Sequence, residues 1–191
     1  MSNKLSHLLS GSVEEVAPRL LGSRLFRELD GRTMSGKIVE VEAYDQADAA
    51  SHSYRGQTER TEVMFGPAGF LYVYFTYGMH YCCNIVTGPP GHGSAVLIRA
   101  LEPESGEELM SQNRHGLSGQ QLTNGPAKLC QALSIDRALN GHDLTRSPLR
   151  LELGQPLKQT EIAQTTRIGI TKAIDVSWRF YVVGNPYVSK M

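Results

Sequence analysis

Residues 65–84 read FGPAGFLYVYFTYGMHYCCN, and this stretch predicts a β-hairpin. Side chains alternate at period two on both sides of a Tyr-Gly pair, as in antiparallel strands joined by a tight turn. We expect strands over 69–76 and 79–86, with Tyr77 and Gly78 at the tip. Half of the aromatic residues of the chain (one Trp, eight Tyr, five Phe) lie here. Rings at this density suggest a surface that stacks on a flat ligand such as a nucleobase.

The two faces of the first hairpin strand differ in character. Leu71, Val73 and Phe75 share one face and are expected in the core, whereas Tyr72 and Tyr74 share the other. A tyrosine at the exposed tip leaves the apolar surface of its ring in water, which is unfavourable unless something covers the ring. Proteins that bend DNA or extrude bases insert such rings between base steps. The alternative is that Tyr77 folds back onto the protein.

The rest of the chain predicts one α+β domain over residues 1–191 that is built on antiparallel strands. The polar stretch 45–64 is expected to be a long loop, and loops of that length are often functional. Further strands are expected at 24–29, 36–44, 94–101, 150–153, 167–170 and 178–183. Helices are expected at 3–22, 105–113 and 125–133, the first with a capping-box spacing at Ser12 and Glu15.

Composition narrows the class of protein. Nineteen basic and nineteen acidic residues give no net charge, which counts mildly against a nucleic-acid partner. Three cysteines without CxxC spacing favour a reducing compartment over a disulfide framework. No apolar run approaches the roughly 20 residues of a membrane span. We therefore expect a cytoplasmic protein without a membrane partner.

The string IVEVEAY at 38–44 is the strongest candidate for acid–base chemistry. On a strand, Glu40, Glu42 and Tyr44 share one face, and a solvated strand surface is one interpretation. The other is a pocket in which a carboxylate, a tyrosine and His52 from the following loop converge. Arg99 is the only cation in the apolar string SAVLIRAL and requires a carboxylate partner such as Glu42.

Two further polar residues lie on the second hairpin strand. Asn84 is interpreted either as a structural hydrogen-bonding group or as part of a pocket wall. His80 is expected to be an ordinary histidine, because no histidine has metal-ligand spacing to a cysteine or carboxylate. We expect no metal and no cofactor.

Taken in order, these segments resemble the alkyladenine (3-methyladenine, N-methylpurine) DNA glycosylase family. The matching strings span nearly the whole chain: IVEVEAY (38–44), His52-Ser53, MFGPAGFLYVYFTYGMHYCCNI (64–85), LIRALEP (97–103), GPAKLCQAL (125–133) and WRFYVVGNPYVS (178–189). The resemblance implies a single compact domain with a curved antiparallel sheet, flanking helices and a protruding hairpin.

The resemblance also implies the reaction. A monofunctional glycosylase flips an alkylated or deaminated purine out of duplex DNA and hydrolyses its N-glycosidic bond, which leaves an abasic site. Glu42 matches the general base that activates water, and Arg99 matches the arginine that positions that water. The implied partner is double-stranded DNA with damaged purines, bound by a monomer without metal or cofactor.

Five positions match the family's binding residues. Tyr44, His52 and Tyr74 match the residues that enclose the extruded base. Asn84 matches the asparagine that rejects the exocyclic amine of guanine. Tyr77 matches the tyrosine that intercalates where the base has left.

Two other functions remain open from the residues alone. Glu40 and Glu42 lie about 6.6 Å apart on a strand, near the separation of the two carboxylates of an inverting glycosidase. Such an enzyme would need both glutamates, whereas base excision needs only Glu42. A non-catalytic module that stacks single-stranded bases is the second alternative.

Overall fold

The computed structural model describes residues 3–76 and 78–189. Four α-helices lie in this part of the chain: α1 (Asn3–Leu9), α2 (Val13–Leu20), α3 (Glu107–Asn113) and α4 (Pro126–Ala132). The strands are β1 (Arg24–Leu29), β2 (Arg32–Tyr44), β3 (Leu71–Thr76), β4 (His80–Val86), β5 (Ala95–Ser105), β6 (Leu149–Glu152), β7 (Ile162–Thr165) and β8 (Arg179–Val182). No helix among these is long and apolar enough to cross a membrane.

All the strands join one antiparallel sheet, which confirms the predicted α+β class. The order is β3-β4-β5-β2-β1-β6, and β8 pairs with both β2 and β7. The long strand β2 therefore lies at the centre, where it pairs with β1, β5 and β8. The ladder between β2 and β5 is interrupted by register shifts at Gly36 and on both sides of Glu40. Because such bulges bend and twist a strand, they help to curl the sheet.

The helices cover one side of this curved sheet. The apolar face of α2, formed by Val13, Val16, Ala17 and Leu20, is buried in the main core. Leu129 and Cys130 of α4 enter the same core. The loops that follow β2 and β7 lie against the other face, which carries Glu42 and Tyr44.

The segment 3–22 is largely helical, as predicted, but it forms two separate helices, α1 and α2. Ser12 between them has an extended backbone, with φ −63° and ψ 147°, and its side chain makes no capping hydrogen bond. Ser10 instead donates its hydroxyl to the carbonyl of His7, which ends α1 locally. Pro18 is accommodated within the last turn of α2.

The hairpin pairs as predicted, from Leu71 opposite Ile85 to Thr76 opposite His80. Only Asn84–Val86 of β4 also pair with β5, so the outer half of the hairpin extends past the sheet. This explains why Phe75, expected in the core, is 51% exposed. Tyr77 lies outside the described residues.

The predicted strand at 167–170 is also wrong. Strand β7 ends at Thr165, and the residues after it form a loop in which Gly169 has φ +77°. The backbone N–H of Ile168 donates to the carboxylate of Glu42 and is therefore not available to a neighbouring strand.

Gly93 anchors the loop that carries His52. Its carbonyl accepts a hydrogen bond from Ser53, and its N–H donates to the side chain of Gln46. A Cβ atom at Gly93 would lie 2.6 Å from Cβ of Ser53 and 2.7 Å from the ring of Phe65. This part of the loop is therefore packed without spare volume.

We predict that Gly93→Ala lowers the free energy of unfolding by about 1–3 kcal/mol, the usual effect of overpacking. Chemical denaturation measures the change. Gly11→Ala is the matched control, because its Cβ atom would meet no atom closer than 3.5 Å. Equal stability of the two variants would contradict the packing described for Gly93.

Candidate active site

A cavity of about 550 Å³ lies against strands β2 to β5. Strands β2 to β5 form its floor, and the loops after β2 and β7 form its walls. Every predicted site residue in the described part of the chain lines it. The full lining comprises Glu42, Tyr44, Ala49, Ala50, His52, Met64, Tyr72, Tyr74, Thr76, Cys82, Asn84, Leu97, Arg99, Pro126 and residues 168–172.

Glu42 is held by three donors in this cavity. The hydroxyl of Tyr44 donates to Oε2 at 2.9 Å, and the backbone N–H of Ile168 donates to Oε1 at 2.7 Å. One terminal nitrogen of Arg99 lies 3.2 Å from Oε2. These contacts fix the position of the carboxylate. Glu42 is fully buried, with no exposed surface. The predicted pairing of Arg99 with a carboxylate is present.

Arg99 lies next to an irregularity in the β2–β5 ladder, on the same face of β5 as Leu97, which pairs with Glu42. Ala100 lies opposite Glu40 and Ile98 lies opposite Val41, so Arg99 between them has no partner residue on β2. Bulges of this kind are frequent next to active sites. Burial lowers the pKa of Arg99, but the charges of Glu42 and Glu40 outweigh this effect and raise it. The guanidinium is therefore a permanent cation beneath the cavity.

Glu40 has a structural role, because its carboxylate is surrounded by hydrogen-bond donors. Its Oε1 accepts from Arg99 at 2.8 Å, from Arg179 at 2.7 Å and from the hydroxyl of Ser189 at 2.8 Å. Its Oε2 accepts from the backbone N–H of Ser189 at 2.6 Å. Burial alone would raise the pKa of Glu40, but Arg99, the Ser189 N–H and Arg179 lower it overall. The solvated-surface interpretation is wrong, since both glutamates are 0% exposed.

Four ring side chains form one end of the cavity. The His52 and Tyr74 rings meet edge to face with centroids 4.6 Å apart, and Tyr72 stacks on Tyr74 at 5.8 Å. Burial raises the pKa of Tyr44, Tyr72 and Tyr74, so all three phenols stay neutral at physiological pH. The Tyr72 hydroxyl lies 3.0 Å from Nδ1 of His52 and fixes the imidazole.

Asn84 is both structural and part of the wall. Its Nδ2 donates to the Tyr72 carbonyl at 3.1 Å across the β3–β4 ladder. Strand pairing also places it opposite Leu97 of β5. The amide is therefore held in one orientation at the cavity surface, so the two interpretations of Asn84 are compatible.

The sequence did not indicate that the loop 168–172 is part of the site. It lines the cavity through Ile168, Gly169, Ile170, Thr171 and Lys172. The sequence RIGI has the alternation of a strand, and its position depends on contacts with residues more than a hundred positions earlier. The burial of Arg167, just before this loop, is visible only in the structure. Within residues 3–76 and 78–189, no three His, Cys, Asp or Glu side chains cluster as metal ligands do.

We predict that the imidazole of His52 stays neutral down to about pH 4. Burial is the main cause of its lowered pKa, about 4, and the charge of Arg60 adds to it. A histidine of this kind contributes stability that is lost as the pH falls from its unfolded-state value of about 6.5 towards 4. NMR titration of the ring carbons, assigned with a His52→Gln variant, measures the midpoint. A midpoint near 6.5 would contradict the environment described here.

Comparison with known proteins agrees with this geometry. The family described as methylpurine-DNA glycosylase (MPG) matches residues 7–186. A protein of Carboxydothermus hydrogenoformans named "Putative 3-methyladenine DNA glycosylase" is 55% identical over 92% of each chain. Proteins with the same name are 52% identical in Methanoculleus marisnigri, over 92% of each chain, and 46% identical in Francisella tularensis, over 98% of this chain and 99% of that one. The chain belongs to the methylpurine-DNA glycosylase family.

Proposed function

We propose that this protein is a monofunctional DNA glycosylase that removes alkylated or deaminated purines from duplex DNA and leaves an abasic site. The observation that supports it most is the immobilised Glu42 carboxylate at the floor of a ring-lined cavity. Family membership supports the same reaction. We propose that the enzyme acts as a monomer in the cytoplasm and needs no cofactor.

In the proposed reaction, Glu42 takes a proton from water while the water oxygen bonds to C1′ of the flipped nucleotide. The bond from C1′ to the purine nitrogen breaks, and the base leaves with the bonding electrons. Oε2 already faces Tyr44 and Arg99, whereas Oε1 faces only the Ile168 N–H. Because a carboxylate oxygen has two lone pairs, Oε1 keeps one for the water. The negative charge also stabilises the oxocarbenium-like transition state.

The cavity walls supply selectivity in this proposal. Tyr44, His52 and Tyr74 enclose the purine, and aromatic contact of this kind accepts any base. Asn84, fixed by its bond to the Tyr72 carbonyl, excludes the exocyclic amine of guanine. A purine alkylated at N3 or N7 carries a positive charge and leaves as a neutral base, whereas a deaminated purine leaves as an anion and takes up a proton from solvent.

The inverting-glycosidase alternative finds no support in the geometry. Its second carboxylate would be Glu40, whose oxygens accept four hydrogen bonds and which does not line the cavity. A non-catalytic stacking module has no use for a carboxylate fixed by three donors. Both alternatives predict that excision from duplex DNA is absent.

We predict that Glu42→Gln still binds a duplex with a tetrahydrofuran abasic analogue but releases bases at least about 100-fold more slowly, since general bases contribute roughly 10²–10⁴. Alkaline cleavage of a methylated duplex under single-turnover conditions measures release. The exposed Glu108→Gln is the matched control and should retain the parent rate. Equal rates for Glu42→Gln and the parent would refute Glu42 as the base.

We predict that Tyr77→Ala weakens binding to a lesion duplex by about 1–3 kcal/mol, the value of one stacked ring. Tyr77→Phe keeps the ring and should bind like the parent. Fluorescence anisotropy with a labelled duplex measures both affinities. If the alanine and phenylalanine variants bind equally, Tyr77 does not intercalate.

A further inference from the structure

Arg167 joins the two loops that wall the cavity. Its side chain is 0% exposed and forms a two-pronged ion pair with Asp48, in which one guanidinium nitrogen lies 3.1 Å from Oδ1. The nitrogen that binds the other oxygen also donates to the carbonyl of Ala43 at 2.9 Å. Arg167 precedes the wall at 168–172, and Asp48 precedes Ala49 and Ala50 in the other wall. This single side chain therefore fixes the distance between the walls.

The same guanidinium fixes a ring of the proposed base pocket. It lies 4.7 Å from the centroid of Tyr44 and 5.5 Å from that of Trp178. The hydroxyl of Tyr44 is bound separately to Glu42 at 2.9 Å. Tyr44 is thus restrained at one face by a cation and at its end by a carboxylate, which leaves little freedom to rotate.

Arg167 also acts on Glu42 through the backbone. The next residue, Ile168, donates its N–H to Oε1 of Glu42 at 2.7 Å. Displacement of Arg167 would move this donor and, with it, the oxygen that keeps a lone pair for water. The arginine touches neither the reacting atoms nor the proposed position of the base.

Stability alone does not account for this arrangement. Replacing a buried ion pair by apolar side chains is often neutral or stabilising. The Nε–H of Arg167 is buried without a hydrogen-bond partner among the described residues, which adds a further cost. A buried group that is retained at such a cost calls for a reason other than stability.

We propose that Arg167, with Asp48, is a positioning residue that sets Tyr44, the wall 168–172 and Glu42 in the geometry required for base release. The inference rests on the proposed glycosylase function. It assigns the pair an effect on the rate of base release that is separate from its effect on folding.

Arg167→Lys tests this directly. Lysine keeps the charge, but it cannot form a bidentate pair with both oxygens of Asp48 or stack on an aromatic ring as a planar guanidinium does. We expect single-turnover excision at saturating enzyme to fall about 10- to 100-fold, since misplacement by about 1 Å can cost 10²-fold. Affinity for the tetrahydrofuran duplex should change less than about threefold, because that ligand has no base to be enclosed.

Arg27→Lys is the matched control. Arg27 is also buried, but it donates to the carbonyls of Leu133, Ser134 and Glu28 and does not line the cavity. We expect it to lower the melting temperature while the excision rate stays at the parent value. Trp178, the single tryptophan, gives a second readout. Its emission maximum should shift in Arg167→Lys and stay unchanged in Arg27→Lys.

The double variant Asp48→Asn/Arg167→Gln covers the case in which Arg167→Lys does not fold, because it leaves no unpaired buried charge. It should show the same loss of rate. If the parent excises bases and the Arg167 variants excise as fast as Arg27→Lys, the positioning role is overturned and the proposed function stands. If the parent releases no base from any damaged duplex, the proposed function fails and the positioning role falls with it.

Discussion

One cation between two buried carboxylates is the constraint on which the rest of the structure depends. Arg99 lies 2.8 Å from Glu40 and 3.2 Å from Glu42, and neither glutamate has exposed surface. Unpaired carboxylates in such a place would cost several kcal/mol each. Arg99, Arg179 and Ser189 donate four hydrogen bonds to Glu40, which does not line the cavity, so the segment around Ser189 is tied to the centre of the sheet. Glu42 is left with one oxygen that is not saturated.

The division of labour between the two glutamates follows from backbone geometry. Leu97 of β5 pairs with Glu42, and alternation places Arg99 on the same face, where Glu40 and Glu42 also lie. Arg99 can therefore contact both carboxylates. Glu40 then serves as the anchor of the arginine, and Glu42 presents its free lone pair to the cavity. A pair of similar residues thus acquires two different roles through its surroundings, as is common among paired carboxylates.

The sequence predicted much of this arrangement because local rules suffice for it. Period-two alternation located β2, β3 and β4, and the resemblance to the glycosylase family placed Glu42, Tyr44, Tyr74 and Asn84 in one site. The structure differs from the prediction where contacts between residues far apart in the sequence determine the local conformation. Phe75 is exposed because only Asn84–Val86 of β4 pair with β5, and residues 167–170 form a loop because Ile168 donates to Glu42. Bulges and the Asp48–Arg167 pair leave no periodic signal in a single sequence.

The central claim is that Glu42 presents a negative charge to the anomeric carbon. The most direct measurement compares two abasic-analogue duplexes, one with a cationic pyrrolidine ring and one with a neutral tetrahydrofuran ring. The parent should bind the cationic ring more tightly by at least about tenfold, equivalent to about 1.4 kcal/mol. Glu42→Gln should bind the two duplexes with nearly equal affinity. A preference for the cationic ring that survives in Glu42→Gln would contradict the account.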